Sequence, residues 1–328
     1  MLYRPEDFEP LVGEPWDAVR VGAGIREIVE DTDDALRGPK LLWPAHEWDR
    51  WRATSPLKDV YCGAGGVLWA LADLRDRGHA ESTLDLEALA LRTLERQREK
   101  PDLGRWSDLP EPRESALLSG EAGILLVAFR LTRDPALADA LLVRVRANVA
   151  NDANELMWGA PGTLLAARLM LGWTGEQRWR DACDESVAAV LAKRDPDGQW
   201  TQRLHGHATR YLGPVHGLVG NVQALIPLLD GRRRATLVRR TSAILQRAAF
   251  VQDDLANWPP EPGERLENTR GEIRLQWCHG APGIICSTAP YLDEALVVAG
   301  AELTWAAGAH RDTKGAGICH GTAGTATR

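Results

Sequence analysis

Two pairs of neighbouring cysteine and histidine residues near the C-terminal end carry the clearest chemical signal in this sequence. Cys278-His279 and Cys319-His320 lie 41 residues apart, and each pair directly precedes a Gly-x-x-Gly. Thiolate and imidazole are the usual donors to zinc, and three of them with an open fourth position are typical of a catalytic zinc site. The gap between the pairs has none of the tight spacing of a zinc finger, so the signature is weak until the surrounding elements are considered.

A repeated glycine pair indicates what positions these residues. The Gly-x-x-Gly recurs six times, with first glycines 39 to 63 residues apart. That spacing leaves room for two helices and two loops in each repeat. The pairs are Gly63/Gly66, Gly120/Gly123, Gly159/Gly162, Gly217/Gly220, Gly280/Gly283 and Gly321/Gly324.

Two kinds of helical pattern alternate along the chain. An apolar run follows each of the first five glycine pairs, as in Ile124–Phe129, and predicts a helix buried on most sides. The stretches between these runs are amphipathic, which predicts helices with one buried stripe. Two such stripes are Leu137, Leu141, Val145 and Val149, and Leu84, Ala88, Leu91 and Leu94. Strand-like alternation is absent, so we expect an all-α fold with inner and outer rings of helices.

A ring of inner helices would bring distant residues together. Equivalent helices run in the same direction, so their N-termini gather at one end and the residues before each glycine pair face a shared pit. This predicts that Glu155, His216, Cys278-His279 and Cys319-His320 meet there. Helix N-termini favour negative charge and lower thiol pKa values, which suits two thiolates beside a cation.

Bulk composition excludes several classes of function. A formal charge of −7 argues against nucleic acid or an anionic membrane as a partner, because both need clustered Lys and Arg. Five cysteines imply no small disulfide framework and favour a reducing cytoplasm. The N-terminus lacks the apolar core of a signal peptide, and no run approaches the roughly 18 apolar residues of a membrane span. We therefore expect a soluble, cytoplasmic protein.

Three motifs resemble the lanthionine synthetase C-like family. They are Trp277-Cys278-His279-Gly280, Cys319-His320-Gly321 and Gly213-Pro214-Val215-His216-Gly217, and the resemblance covers nearly the whole chain. It implies a single α/α-toroid domain over residues 1–328, with seven helical hairpins and zinc at one end. Six repeats are recognisable and the sequence stops four residues after Gly324, so we expect a domain truncated at its C-terminal end. The histidine after Cys278 is similar to the eukaryotic-type branch.

The resemblance also implies a ligand set and a reaction. Cys278, Cys319 and His320 would bind zinc, with water as the fourth ligand. A substrate cysteine would replace the water, stay ionised near neutral pH, and add to the β-carbon of dehydroalanine or dehydrobutyrine. The resulting enolate must then be stabilised and protonated at its α-carbon.

Four further residues are candidates for catalysis. His216 is the candidate acid, or the base that takes the thiol proton. Arg274 would face the developing enolate oxygen, as the resemblance implies. Glu155 matches an acidic family position, or merely favours a helix N-terminus. His279 either protonates the enolate or lines the pocket.

Three functions stay open at this point. The first is an enzyme that adds a thiol to a dehydroamino acid, either closing a lanthionine ring in a dehydrated peptide or adding glutathione to a damaged protein, with dehydration done by a separate protein. The second is a carbohydrate enzyme on the same toroid, which needs a carboxylate pair that Glu155 has no obvious partner to form. The third is a non-catalytic zinc-containing protein that binds peptides or thiols.

The other histidines and cysteines are weaker candidates. His205-Gly206-His207 is interpreted as an exposed loop, although two imidazoles two residues apart can bind a metal. We interpret His46, His79 and His310 as surface residues, and Cys183 and Cys286 as small core residues. Cys62 precedes a glycine pair and could face the same pit, but we favour the interpretation that it does not.

Overall fold

The computed structural model describes residues 1–11, 13–36, 42–44, 56–102, 112–311 and 314–326. Twelve α-helices lie within these ranges: α1 (Ala18–Ala35), α2 (Ala64–Asp76), α3 (Leu86–Glu99), α4 (Glu121–Thr132), α5 (Pro135–Asn148), α6 (Ala160–Thr174), α7 (Gln177–Ala192), α8 (Leu218–Leu225), α9 (Gly231–Ala248), α10 (Ala281–Thr288), α11 (Glu294–Ala307) and α12 (Thr322–Thr325). The all-α class is confirmed. His46, interpreted above as a surface residue, lies outside the described residues.

The six glycine pairs mark the starts of helices, as predicted. The first glycine of each pair is the N-cap of α2, α4, α6, α8, α10 or α12. The second glycine of each pair lies in the first turn of the helix, against the loop that precedes it. At five of the pairs, a Cβ on this glycine would come within 2.3 Å of the carbonyl oxygen six residues earlier. The pairs therefore let each loop fold tightly back onto its own helix.

One compact unit consists of Glu14–Asn151 and Met157–Ser186. Its centre is α4, which contacts α2, α3, α5 and α6 and has ten buried residues out of twelve. On α5, Leu137, Leu141 and Val145 of the predicted stripe are buried, whereas Val149 is the half-buried C-cap residue.

The stripe predicted for α3 is wrong in three of its four residues, since only Leu94 is buried. Leu91 is 45% exposed, and Leu84 precedes the helix, which begins after its N-cap Asp85. The buried face instead contains Leu86, Leu89, Ala90, Thr93, Leu94 and Gln97. Leucines occur on more than one face of this helix, so the sequence was compatible with either of two buried stripes. Tertiary packing buried the face that was not predicted.

The second compact unit consists of Met1–Gly13, Asp152–Leu156 and Val187–Arg328. In it α10 contacts α8, α11 and α12, and α8 also contacts α9. The helices that begin just after His216, Cys278-His279 and Cys319-His320 are thus direct neighbours. Because the chain divides into two units, the single domain expected over residues 1–328 stays a prediction.

Six short strands pair in this second unit, although the sequence showed no alternation. They are β1 (Phe8–Glu9) with β6 (Ala309–His310), β2 (Gln202–Leu204) with β3 (His207–Thr209), and β4 (Phe250–Gln252) with β5 (Leu255–Asn257). Strands of two or three residues are too short for a period of two to be visible. The β2–β3 turn has positive φ at both His205 and Gly206, which is the geometry of a tight two-residue hairpin. Among the described residues, no helix is long and apolar enough to cross a membrane.

The loop before α8 lies directly against the loop before α10. A Cβ on Gly213 would be 1.9 Å from the carbonyl oxygen of Cys278, a distance that no side chain tolerates. Only glycine at this position allows the two loops to approach so closely.

Gly213→Ala should therefore destabilise the protein by about 2 kcal/mol, because the two backbones must move apart to admit a methyl group. The control is Gly172→Ala in α6, where a Cβ would have no neighbour within 4 Å. That change should stabilise the protein by up to about 1 kcal/mol, since alanine favours a helix interior. Thermal or denaturant unfolding of both variants measures the difference. Equal stabilities would contradict the close approach.

Candidate metal centre and catalytic cavity

Cys278, Cys319 and His320 come together in the second unit. Their ligand atoms, two sulfurs and one imidazole nitrogen, all lie within 4.8 Å of one another. The two loops are joined directly, because the Cys278 N–H donates to the Cys319 carbonyl at 3.2 Å. Cys278 is buried, Cys319 is half-buried and His320 is exposed, so the cluster opens on one side.

The donor set fits a zinc ion. Burial raises the pKa of the Cys278 thiol well above its usual range, and the hydrogen bond and charge of Cys319 raise it further. The lowering of the pKa expected at a helix N-terminus is therefore outweighed here. A bound cation would reverse this, because a coordinating thiol is deprotonated outright. Two sulfurs and one imidazole with an open side match the donors of a three-ligand zinc site.

A tight turn holds Cys278 in place. The N–H of Gln276 donates to the carbonyl of His279 at 3.0 Å, and the N–H of His279 donates back to Gln276 at 3.2 Å. The side-chain amide of Gln276 also donates to the Cys278 sulfur at 2.9 Å. Gly280 follows with φ of 112°, a value that favours glycine. Cys278 is thus positioned by the residues on both sides of it.

Asn257, the last residue of β5, fixes the start of α10. Its side-chain oxygen accepts the N–H of Ala281, the first residue of α10, at 2.9 Å. Its amide group donates to the carbonyls of Leu2 at 2.8 Å and Arg274 at 3.2 Å. Gly280, the N-cap residue, makes no side-chain cap, so Asn257 satisfies a helix donor that would otherwise be unpaired.

A fully buried Glu155 pairs with a half-buried His216 beside the metal cluster. The Nδ1 atom of His216 lies 2.7 Å from a carboxylate oxygen of Glu155, whose side chain is fully buried. Burial lowers the pKa of His216, but the hydrogen bond and charge of Glu155 and the charge of Cys319 outweigh it, so the pKa is raised overall. With Nδ1 engaged, Nε2 is the ring nitrogen left for the cavity. The interpretation of Glu155 as a mere helix-terminus acid does not describe this contact.

His279 is a buried neutral imidazole. Burial lowers its pKa well below the usual value, and the positive charges of Arg274, His216 and His320 add to the effect. Its Nδ1 atom is buried and has no hydrogen-bond partner among the described residues. Its ring is 6.4 Å from that of His216 and nearly parallel to it. Arg274 also lines the cavity, and its charge acts on both imidazoles.

One cavity of about 730 Å³ is lined by His216, Arg274, Cys278, His279 and His320. Six of the eight histidines in the sequence line it: His205, His207, His216, His279, His310 and His320. The surface interpretation of His310 is wrong, because it is half-buried and lines this cavity. His205 and His207 are exposed at the β2–β3 hairpin, as expected, and also line the cavity.

Sequence reasoning missed Tyr211, Gln276 and Asn257. The Tyr211 ring meets the His279 ring edge-on at 5.1 Å and lies 6.3 Å from that of His216. Tyr211 lies two residues before the Gly213–Gly217 motif and Gln276 two before Cys278, so proximity to the motifs was a usable signal for both. Asn257 offered no such signal.

The remaining candidates lie elsewhere. Cys62 belongs to the other compact unit, and His79 is exposed. Cys183 is buried as expected and burial raises its thiol pKa to about 11, whereas Cys286 is only half-buried.

Comparison with known proteins identifies relatives. Residues 45–327 match the sequence pattern of the family described as lanthionine synthetase C-like protein. The chain is 30% identical over 158 residues to glutathione S-transferase LANCL1 of Danio rerio, a match that covers 44% of this chain and 36% of that protein. The chain thus spans about a third of the length of that curated relative.

The fold has a solved counterpart. The structure is similar to that of nisin cyclase, with a TM-score of 0.59 and 16% identity over 93% of this chain and 80% of that one. This likeness is consistent with the expected α/α toroid, and the number of repeats stays a prediction.

Glu155→Gln should lower the pKa of His216. The amide can still hydrogen-bond Nδ1, but the carboxylate charge that overcomes burial is lost. At any pH within the titration range, the protonated fraction of the His216 imidazole should be smaller in the variant than in the wild type. Titration of the His216 ring protons by NMR, at matched metal loading, measures this. Glu272→Gln, which changes a carboxylate that lines the cavity, is the control and should leave the His216 pKa in place. An unchanged pKa in Glu155→Gln would contradict the pairing.

Proposed function

The chain belongs to the lanthionine synthetase C-like family, and from this premise we propose that it catalyses the zinc-dependent addition of a thiol to a dehydroamino acid. The observation that carries the proposal is that Cys278 and His320 of the metal cluster line the same cavity as His216, the histidine that is hydrogen-bonded to Glu155. The first supplies donors for a metal that activates a thiol, and the second supplies a group that can move a proton.

The proposed reaction is redox-neutral. The S–H bond of the thiol and the π bond between the α- and β-carbons of the dehydroamino acid break. A C–S bond forms at the β-carbon and a C–H bond at the α-carbon, so the product is a thioether. The chain must accept one proton from sulfur and deliver one to carbon.

Cys278, Cys319 and His320 would hold zinc, which when bound supplies a positive charge that keeps the substrate sulfur ionised near neutral pH. A free thiol with a pKa of about 8.5 is only a few per cent ionised at pH 7. The neighbouring Gln276 amide orients the Cys278 sulfur.

His216 would move the proton. Glu155 fixes its ring through Nδ1 and raises its pKa, which favours the protonated imidazole. The ring can then act as the base for the thiol or as the acid for the α-carbon. The geometry is compatible with both roles.

Arg274 and His279 would serve the carbonyl side of the substrate. Arg274 supplies a positive charge for the enolate oxygen, where negative charge develops in the transition state. His279 is buried and neutral, and its unpaired Nδ1 suits either a hydrogen bond to substrate or proton delivery. These roles support the same reaction class.

Two thiols are compatible with the proposal. Nisin cyclase is named for ring closure, and LANCL1 for the transfer of glutathione. The substrate would therefore be a dehydrated peptide or protein, with its own cysteine or glutathione as the thiol and a separate dehydratase to prepare it. None of the five cysteines is in a disulfide, which supports a reducing, cytoplasmic location. The hydrogen bond of Glu155 to His216 speaks against the carbohydrate alternative, which needs a pair of carboxylates.

The direct test is thioether formation. With zinc-loaded protein and a dehydroalanine-containing peptide, glutathione should give a product heavier by the mass of glutathione. A peptide with its own cysteine should instead give a cyclic product of unchanged mass. Neither product should react further with added thiol. His216→Gln should lower kcat by a factor of about 10² to 10⁴, the usual contribution of a positioned acid or base. Zinc content should not change in this variant.

His79→Gln is the control, because His79 is exposed and belongs to the other unit. Its rate should match that of the wild type. If zinc-loaded wild-type protein forms no thioether with either thiol, the proposed activity is wrong and a non-catalytic binding protein is favoured.

A further inference from the structure

The first residues of the chain are part of the wall of the cavity. The segment Leu2–Glu9, here called the N-terminal strap, lies outside the residues that match the family pattern, which begin at residue 45. Even so, Arg4, Asp7 and Phe8 line the cavity. A segment beyond the shared family region therefore helps to shape the site.

Long-range contacts hold the strap in place. The Arg4 guanidinium donates to the carbonyl of Gly271 at 2.8 Å, and Asn257 donates to the carbonyl of Leu2 at the same distance. Strand β1 pairs with β6, so that Phe8 lies opposite His310. The strap is thus tied to the loop before Cys278 and to the segment that leads to Cys319.

Phe8 fixes the imidazole of His310. Phe8 is 2% exposed, and its ring centroid lies 4.4 Å from that of His310 at an interplanar angle of 35°. The Tyr3 ring also contacts the Phe8 ring edge-on, with 5.8 Å between the ring centroids. The Arg311 guanidinium donates to the Phe8 carbonyl at 3.0 Å. The Phe8 ring therefore cannot move away without loss of these contacts.

His310 lines the cavity, and its hydrogen-bonding capacity is not fully used. Both of its ring nitrogens are buried and make no well-formed hydrogen bond among the residues that the structure describes, although the Leu275 backbone lies close enough to interact with the ring. Burial lowers the pKa of His310 and the charge of Lys314 lowers it further, while the backbone of Leu275 and the charge of Asp7 raise it. A neutral imidazole has one donor and one acceptor, and buried groups of this kind normally find partners.

We propose that His310 is a substrate-binding residue that hydrogen-bonds a backbone amide of the acceptor peptide, and that the N-terminal strap positions it through Phe8. The inference rests on the proposed function for the identity of the peptide. A backbone amide offers an N–H and a C=O, so one nitrogen of a neutral imidazole can either accept from the N–H or donate to the C=O. The cavity, at about 730 Å³, is large enough for several peptide residues.

Peptide binding tests the role of His310 without any need for turnover. The probe is a fluorescein-labelled hexapeptide with one dehydroalanine and an amidated C-terminus, measured by fluorescence anisotropy on zinc-loaded protein. His310→Phe keeps an aromatic ring against Phe8 but removes both nitrogens, and should raise Kd about tenfold. His310→Gln keeps a donor and an acceptor, and should stay within about threefold of the wild type. His79→Phe is the control and should bind as the wild type does.

Kinetics separates binding from catalysis. His310→Phe should raise KM for the peptide and leave kcat and zinc content unchanged. Phe8→Leu, which keeps an apolar side chain but loses the ring contact, should raise KM in the same direction by a smaller factor. A merely structural role would instead lower stability and kcat in both His310 variants.

The outcomes distinguish the two proposals. Wild-type binding that depends on His310, without thioether formation, would remove the proposed activity and keep this inference. Normal turnover and binding in His310→Phe, or a loss in His310→Gln as large as that in His310→Phe, would overturn the inference and leave the activity standing. If the wild type neither binds nor converts the peptide, both proposals are wrong.

Discussion

The site depends on one backbone constraint, the joining of two loops that are far apart in sequence. The Cys278 N–H binds the Cys319 carbonyl, which brings the two sulfur atoms and the His320 imidazole within reach of one ion. A third loop, the one before α8, packs on the Cys278 carbonyl through Gly213, where no larger residue would fit. The N–H of Ala281 at the start of α10 is satisfied by the side chain of Asn257. The position of the metal cluster therefore depends first on backbone contacts between loops, and its side chains then supply the ligands.

Burial then sets the chemistry of the surrounding groups. Where a side chain is shielded from water, an isolated charge is costly, so a buried group must be paired or become neutral. Glu155 is fully buried and hydrogen-bonds His216, which keeps a raised pKa in spite of its surroundings. His279 has no such partner on Nδ1 and is driven to the neutral form. Two imidazoles whose rings are 6.4 Å apart thus have pKa values shifted in opposite directions, which suits one for proton transfer and the other for neutral hydrogen bonding.

The repeated motifs of the sequence predicted the helix starts and the convergence of Cys278, Cys319 and His320, whereas contacts outside those motifs were missed. All six glycine pairs begin helices, because the requirement for glycine in a tight loop is visible in the sequence itself. The phase of α3 was wrong, since leucines on both faces left the choice to packing. His310 was misassigned because its ring contact with Phe8, which is 302 residues away, leaves no periodic trace in the sequence. The strands of two or three residues were missed because they are too short to show alternation.

The measurement that tests the central claim most directly is the number and type of zinc ligands in the purified protein. Elemental analysis with zinc K-edge absorption spectroscopy should find one zinc per chain, bound by two sulfurs and one imidazole. Cys278→Ala and Cys319→Ala should each lose the metal, whereas Cys286→Ala, which changes a half-buried cysteine in α10, should retain it. Zinc content unchanged in the first two variants, or a spectrum without sulfur ligands, would contradict the account.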